Sequence, residues 1–101
     1  MSNTLNGSLV SDLKKLGDKY LIDKIVLFGS RARGDNKPNS DVDLAIFTFP
    51  GFDHKGFLIS DIDELNTLFK IDVVFIDKDT DIELLKNIEK EGVMLYEQSS
   101  N

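Results

Sequence analysis

The sequence predicts one domain of the α/β or α+β class, and three observations support this. Apolar residues at three- and four-residue spacing, typical of amphipathic helices, alternate with short continuous apolar runs, typical of buried strands. The segments follow in the order helix, strand, strand, helix, strand, helix, strand. The 101 residues, 41% of them apolar, suffice for one core. We therefore expect a single domain over residues 1–97 and a frayed tail over 98–101.

The first half of the chain predicts a helix and two strands. Ser8 can cap a helix over residues 8–19, where apolar residues recur at helical spacing. Residues 24–28 form a partly β-branched apolar run that predicts a buried strand, and residues 42–47 form a second one. Between the two strands, the turn-forming residues 35–39 predict a loop.

The second half predicts a longer series of elements. A long loop, a helix, a strand, a helix and a short last strand are expected in this order over residues 48–56, 57–68, 71–76, 81–91 and 93–96. Gly92 is the expected C-cap of the last helix.

The predicted strands are apolar at successive positions, which implies cover on both faces of the sheet. Three helices of this length cover only one face well. We therefore expect a homodimer or another protein partner to cover the remaining apolar surface.

The composition excludes several classes of function. With 12 Lys+Arg against 18 Asp+Glu, the net charge of -6 disfavours binding to long nucleic acids. The absence of cysteine excludes disulfides and thiolate metal sites. No apolar run approaches the roughly 18 residues that a membrane span needs, and the first residues lack the features of a signal peptide. A cytoplasmic location without a membrane partner is the expectation.

A phosphate-binding turn is predicted after the first strand. The strand ends at Gly29, and Gly29-Ser30 opens a short helical turn that ends at Gly34. Backbone N–H groups at such a turn, with a small hydroxyl residue, can hold a phosphate. This is not a P-loop, since Asp35 and Asn36 stand where that motif needs Lys and Ser/Thr.

Asp41 and Asp43 form a candidate metal-binding pair. Residues two apart on a strand project from the same face, and two neighbouring carboxylates repel each other unless a cation lies between them. Oxygen ligands without nearby His or Cys suit Mg²⁺ or Mn²⁺. The alternative is a solvated acidic turn capped by Ser40.

Asp72 is the candidate third carboxylate. It interrupts a strand that is otherwise apolar on both faces, where an unpaired carboxylate costs several kcal/mol. Beside the first pair, it would complete the arrangement of a two-metal phosphoryl or nucleotidyl transfer site. The alternative is a salt bridge from Asp72 to Lys70 or Lys24.

These motifs together resemble the signature of the DNA polymerase beta nucleotidyltransferase superfamily, and most closely its minimal nucleotidyltransferases. The signature consists of Gly29-Ser30, ten further residues and Asp41-Val42-Asp43, with Arg33-Gly34 inside it and Ser40 directly before the acids. The resemblance covers essentially the whole chain. It implies the nucleotidyltransferase fold, in which a small mixed β-sheet has its helices packed mainly on one face.

The resemblance also implies roles for individual residues. Asp41 and Asp43 match the metal-binding pair, and Asp72 matches the third carboxylate, which also contacts metal and acts as general base or orients the acceptor oxygen.

Gly29 and Ser30 match the loop that holds the triphosphate. Arg33 stands where the family has Arg or Lys and contacts phosphate or braces the loop, whereas Arg31 is at a variable position. Two residues that are two apart on a helical turn point in nearly opposite directions, so both arginines are not expected at one phosphate. Ser40 either binds the nucleotide or caps the turn.

The implied function is transfer of a nucleoside monophosphate, AMP from ATP, to an acceptor with Mg²⁺ or Mn²⁺ as cofactor. Minimal nucleotidyltransferases pair with helical HEPN proteins, and many such pairs act as toxin and antitoxin, so the implied acceptor is a HEPN-type toxin. One alternative is a non-catalytic antitoxin that masks its partner. Another is an antibiotic-modifying nucleotidyltransferase that needs a second subunit to select its acceptor.

Overall fold

The computed structural model describes residues 5, 7–65 and 67–98, which form four helices and four strands. In chain order these are α1 (Gly7–Lys19), β1 (Lys24–Phe28), α2 (Ser30–Arg33), β2 (Val42–Phe47), α3 (Lys55–Asp63), β3 (Ile71–Ile76), α4 (Ile82–Glu91) and β4 (Val93–Glu97). Within these residues, no helix has the length and apolar character to cross a membrane. The predicted order of elements is confirmed, and all four strands lie within a residue of their predicted bounds.

The four strands form one mixed sheet with the order β3-β2-β1-β4. β1 pairs antiparallel with both β2 and β4, whereas β2 and β3 are parallel. The parallel pair follows from the connection through α3, since parallel neighbours need a crossover. The N-terminal ends of β2 and β3 therefore meet at one end of the sheet.

Alternate residues of β1, β2 and β3 enter two separate cores. Ile25, Leu44 and Ile46 pack with buried residues of α1 and α3 in the larger core. Their neighbours Val26 and Ala45 pack on the opposite face in a smaller core with residues of α4. The implied fold, a mixed sheet with helices mainly on one face, is confirmed, and α4 supplies part of the cover expected on the second face.

The helix predicted over residues 57–68 is displaced and shorter. It spans Lys55–Asp63, and Leu58 and Ile62 are its buried residues. Leu65 still packs against the larger core from the following loop, while Leu68 is fully exposed at 102%. The apolar spacing continued beyond the helix because the loop uses Leu65 for packing without helical backbone.

Gly92 ends α4, but not in the left-handed conformation of a glycine C-cap. Its backbone is extended, with φ -69° and ψ 148°. A Cβ atom here would collide with the Ile88 carbonyl oxygen and the Val26 side chain. Glycine therefore serves close packing of the helix end on β1.

The sheet pairing continues to Gln98, the first residue of the predicted tail. Its backbone N–H donates to the Asp23 carbonyl oxygen over 2.9 Å. The rest of the tail lies outside the described residues, so the domain boundary stays a prediction.

Candidate active site

The structure brings the three predicted carboxylates together at one end of the sheet. Asp43 of β2 and Asp72 of β3 are direct partners in the parallel register. Partners in a parallel pair project from the same face, which here is the face that carries α4. Asp41 lies one residue before β2 and shares the alternation of Asp43.

The electrostatics of Asp43 show that the acids act on one another. Its pKa is raised above the usual 3.8, first by burial and then by the negative charges of Asp72 and Asp41, while the positive charge of Arg33 opposes the shift. Burial and like charges both disfavour an ionised carboxylate. A cation bound among these groups would remove that cost.

Gly29 allows the Asp43 carboxylate to approach the turn after β1. Its φ is +79°, and a Cβ atom at this position would lie only 2.5 Å from Asp43 Oδ2. Any other residue would be strained in this backbone conformation and would displace the carboxylate. Ser30 begins α2 directly after this contact. The predicted phosphate turn and the predicted metal ligands are therefore neighbours.

Asp72 is more exposed than its sequence context suggests. β3 is an edge strand, and the Asp72 side chain keeps 47% of its surface exposed. The expected cost of several kcal/mol for an unpaired carboxylate at this position is therefore wrong. Lys70 Nζ lies 3.9 Å from Asp72 Oδ1. Such an exposed ion pair stabilises a fold by at most about 1 kcal/mol.

Arg33 braces two elements. Its Nε donates to Asp35 over 3.0 Å and its Nη1 donates to Glu91 over 2.9 Å. Both contacts raise the pKa of Arg33, the hydrogen bond to Asp35 most. The guanidinium thereby links α2 to the end of α4. The contact with phosphate stays a prediction.

Ser40 caps the turn that precedes the acids. Its Oγ accepts a hydrogen bond from the Lys37 backbone N–H over 2.8 Å, and its own N–H donates to the Lys37 carbonyl over 3.0 Å. A bond from this hydroxyl to a nucleotide stays a prediction.

Arg31 contacts the loop that leads to Asp41, which the sequence did not indicate. It is the buried charged residue among those described, at 4% exposure. Its Nε and Nη2 donate to the Ser40 carbonyl over 3.0 and 2.9 Å, and Nη2 also donates to the Pro38 carbonyl over 3.1 Å. Its guanidinium lies 4.2 Å from the centre of the Phe69 ring. The expectation that the two arginines face different ways is confirmed, because Arg33 is exposed.

The donor chemistry of the carboxylate cluster fits a hard divalent cation. Asp41, Asp43 and Asp72 offer only oxygen ligands, which Mg²⁺ and Mn²⁺ prefer. Within residues 5, 7–65 and 67–98, no three acidic, His or Cys side chains form a ready-made group that could hold a metal.

A cleft of about 550 Å³ opens beside Asp41. The loops before β2 and β3 form its walls, with Phe69 and Lys70 on one side and Pro38 and Asn39 on the other. Asp41 is therefore accessible to a ligand from this end of the sheet.

Comparison with known proteins identifies the fold in solved structures. The chain is similar to a toxin-antitoxin crystal structure with AMP-PNP, at 22% identity and a TM-score of 0.64, covering 89% of this chain and 74% of that one. It is similar to a mutant of the toxin-antitoxin MntA-HpeT, at 21% identity and a TM-score of 0.65, covering 94% and 76%. At these identities the similarity concerns the fold.

A third similar structure is that of a provisionally assigned nucleotidyltransferase from Sulfolobus solfataricus. It shares 18% identity and a TM-score of 0.56, covering 90% of this chain and 82% of that one. No curated protein matches the sequence.

The family model for the polymerase beta nucleotidyltransferase domain matches residues 11–101. Because this match spans most of the chain and includes the glycine turn and all three carboxylates, the protein belongs to the polymerase beta nucleotidyltransferase family.

Proposed function

We propose that the protein transfers AMP from ATP to a hydroxyl group of a partner protein and thereby acts as the antitoxin of a toxin-antitoxin pair. The observation that carries the proposal is the register of Asp43 with Asp72, beside Asp41 and against Gly29. This proximity supports metal ligands and a triphosphate turn that act together. The toxin-antitoxin role is supported by the resemblance to minimal nucleotidyltransferases and by the fold shared with two toxin-antitoxin structures.

Asp41, Asp43 and Asp72 would hold Mg²⁺ or Mn²⁺, which would neutralise charge on the triphosphate and activate the acceptor oxygen. Gly29 and Ser30 bind the β- and γ-phosphates, and Arg33 supports that turn through Asp35 and Glu91. The acceptor oxygen bonds to the α-phosphorus while the bond to the bridging oxygen breaks and pyrophosphate leaves. Asp72 faces the acceptor and takes up or orients its hydroxyl proton.

The partner is proposed to be a small helical protein of the HEPN type. The toxin-antitoxin structures that share the fold support a protein acceptor. The open cleft beside Asp41 also leaves this carboxylate accessible to a side chain of another protein. The protein is proposed to act in the cytoplasm.

The test is an adenylylation assay with the protein encoded by the neighbouring gene. Purified protein, this partner, Mg²⁺ and α-labelled ATP are incubated, and the partner is analysed by intact mass. We expect one or more AMP additions with release of pyrophosphate. Asp43→Asn should lower the rate at least ~100-fold, because it removes a charged ligand of the proposed metal.

Asp53→Asn is the matched control, since Asp53 is exposed in the loop after β2 and its carboxylate lies 3.5 Å from His54 Nε2. This variant should retain the wild-type rate. An Asp43→Asn protein that still adenylylates the partner would contradict the proposed chemistry. Neutralisation of the toxin by Asp43→Asn at unchanged partner affinity, without any AMP adduct, would instead establish stoichiometric masking.

A further inference from the structure

Arg31 is a buried cation that the proposed chemistry does not use. It lies in α2, one residue after Ser30, yet its side chain points away from Arg33 into the protein and is only 4% exposed. Burying a guanidinium is costly unless its donors are satisfied. Its position therefore requires strong local contacts, and these contacts lie beside the carboxylates.

The first set of contacts fixes the loop that leads to Asp41. Two nitrogens of Arg31 donate to the carbonyl oxygen of Ser40, and one of them also donates to the carbonyl of Pro38. The Ser40 carbonyl belongs to the peptide bond whose nitrogen is that of Asp41. The guanidinium is thus bonded to the peptide group that sets the direction of the first carboxylate.

The second contact fixes the segment that leads to Asp72. The guanidinium lies 4.2 Å from the centre of the Phe69 ring, which is three residues before Asp72. Directly after Phe69, the Lys70 carbonyl accepts a hydrogen bond of 2.8 Å from the Val42 N–H, between Asp41 and Asp43. Arg31 therefore lies between the two segments that carry the acids.

We propose that Arg31 is a positioning residue that holds the Asp41 backbone close to Asp43 and Asp72, and thereby sets the affinity of the cluster for a divalent cation. This inference rests on the proposed function of the cluster. The planar guanidinium bonds two carbonyls and stacks on a ring at the same time. A lysine retains the charge but lacks this fork of donors and the planar stacking surface.

The experiment measures cation binding separately from transfer. Mn²⁺ is titrated into wild type and Arg31→Lys with a non-hydrolysable ATP analogue, and free Mn²⁺ is followed by electron paramagnetic resonance. We expect Arg31→Lys to weaken Mn²⁺ binding about tenfold. Its transfer rate should fall at low Mg²⁺ and recover as Mg²⁺ is raised, with KM for ATP changed less than twofold.

Ile22→Val and Ile22→Ala serve as controls for a general loss of stability. Ile22 is fully buried in the larger core, before β1 and distant from the acids along the sheet. At a similar fall in melting temperature, these variants should bind Mn²⁺ like wild type. Unchanged Mn²⁺ affinity in Arg31→Lys, or a loss that Ile22→Ala reproduces, would overturn the positioning role.

The outcomes also separate this inference from the proposed function. If the wild-type protein binds Mn²⁺ but transfers no AMP, the proposed function is refuted. The effect of Arg31→Lys on Mn²⁺ affinity then still decides the positioning role. Transfer by wild type with no effect of Arg31→Lys refutes only the positioning role. Wild type that does not bind Mn²⁺ with the nucleotide analogue overturns both.

Discussion

Asp43 is a carboxylate whose ionisation opposes folding. Its carboxylate is partly buried against Gly29 and faces the charges of Asp72 and Asp41. Folding raises its pKa above 3.8, so the folded protein binds this proton more tightly than the unfolded chain does. The ionised form therefore lowers the free energy of unfolding once the pH exceeds 3.8, and a bound cation would reverse this effect.

We expect Asp43→Asn to raise the melting temperature by a few degrees at pH 7 without metal. The reason is that the amide removes one of three mutually repelling charges. The difference should vanish as the pH falls below 3.8, where the carboxyl is neutral in both states. Thermal denaturation followed by circular dichroism across pH 3–8 measures this effect.

Asp53→Asn, at an exposed loop position, should leave the melting temperature unchanged over the same range. Mg²⁺ with an ATP analogue should stabilise wild type more than Asp43→Asn, since only wild type retains all proposed ligands. A lower melting temperature for metal-free Asp43→Asn at pH 7 would contradict the proposed repulsion.

Sequence spacing predicted Asp41, Asp43 and Gly29 as site residues, and in the structure Gly29 lies directly against the Asp43 carboxylate. It did not identify Arg31, because the partners of Arg31 are backbone carbonyls and a ring that only the folded loops bring together. It also misjudged the burial of Asp72. An apolar run does not distinguish an edge strand from a central one, and the exposure of Asp72 follows from the strand order.

At the level of elements, α1 packs on β4 through a glycine and a tyrosine. A Cβ atom on Gly17 would lie 2.6 Å from atoms of the Tyr96 ring. The Tyr96 hydroxyl donates to Asp18 over 2.8 Å, and burial together with this bond raises the pKa of Tyr96 to about 12. The ring therefore uses the space that the absent Cβ leaves on the helix.

Gly17→Ala is expected to destabilise the protein by about 1–3 kcal/mol, because the methyl group displaces the Tyr96 ring. Helix propensity alone predicts the opposite sign, a gain of about 1 kcal/mol for alanine inside a helix. Urea denaturation measures the net effect. Gly7→Ala is the matched control, since nothing lies within 4 Å of its Cβ position, and it should be neutral or slightly stabilising. A stabilised Gly17→Ala would show that the ring contact is unimportant.

Strands were predicted better than helix ends. Each strand is an apolar run bounded by turn residues or by charged ones, so its limits are visible in the sequence. The end of α3 at Asp63 was not, because Leu65 and Leu68 continue the helical spacing while the chain already turns toward β3. The helix predicted between β2 and β3 favours a parallel pair, but the strand order and the register were not derivable from the residues, and it is the register that aligns Asp43 with Asp72.

At the level of the whole molecule, α1 and α3 cover one face of the sheet, and α4 covers part of the face that carries the acids. Exposed apolar side chains remain, including Ile82 of α4 and Val93 and Met94 of β4. The expected homodimer or protein partner would cover such surface, and this stays a prediction. The proposed division of labour follows, in which this chain supplies the transfer chemistry and its partner supplies the acceptor.

The charge distribution predicts that the protein does not bind long nucleic acids. The net charge is -6, and two of the cations already pair with acidic residues, Lys19 with Asp61 and Arg33 with Asp35 and Glu91. Phosphate-backbone binding depends on counterion release by unpaired cationic side chains. Fluorescence anisotropy with labelled RNA or DNA should therefore show no saturable binding up to about 0.1 mM protein at physiological salt. Micromolar binding that weakens steeply with salt would refute this prediction and point to a nucleic acid acceptor instead of a protein.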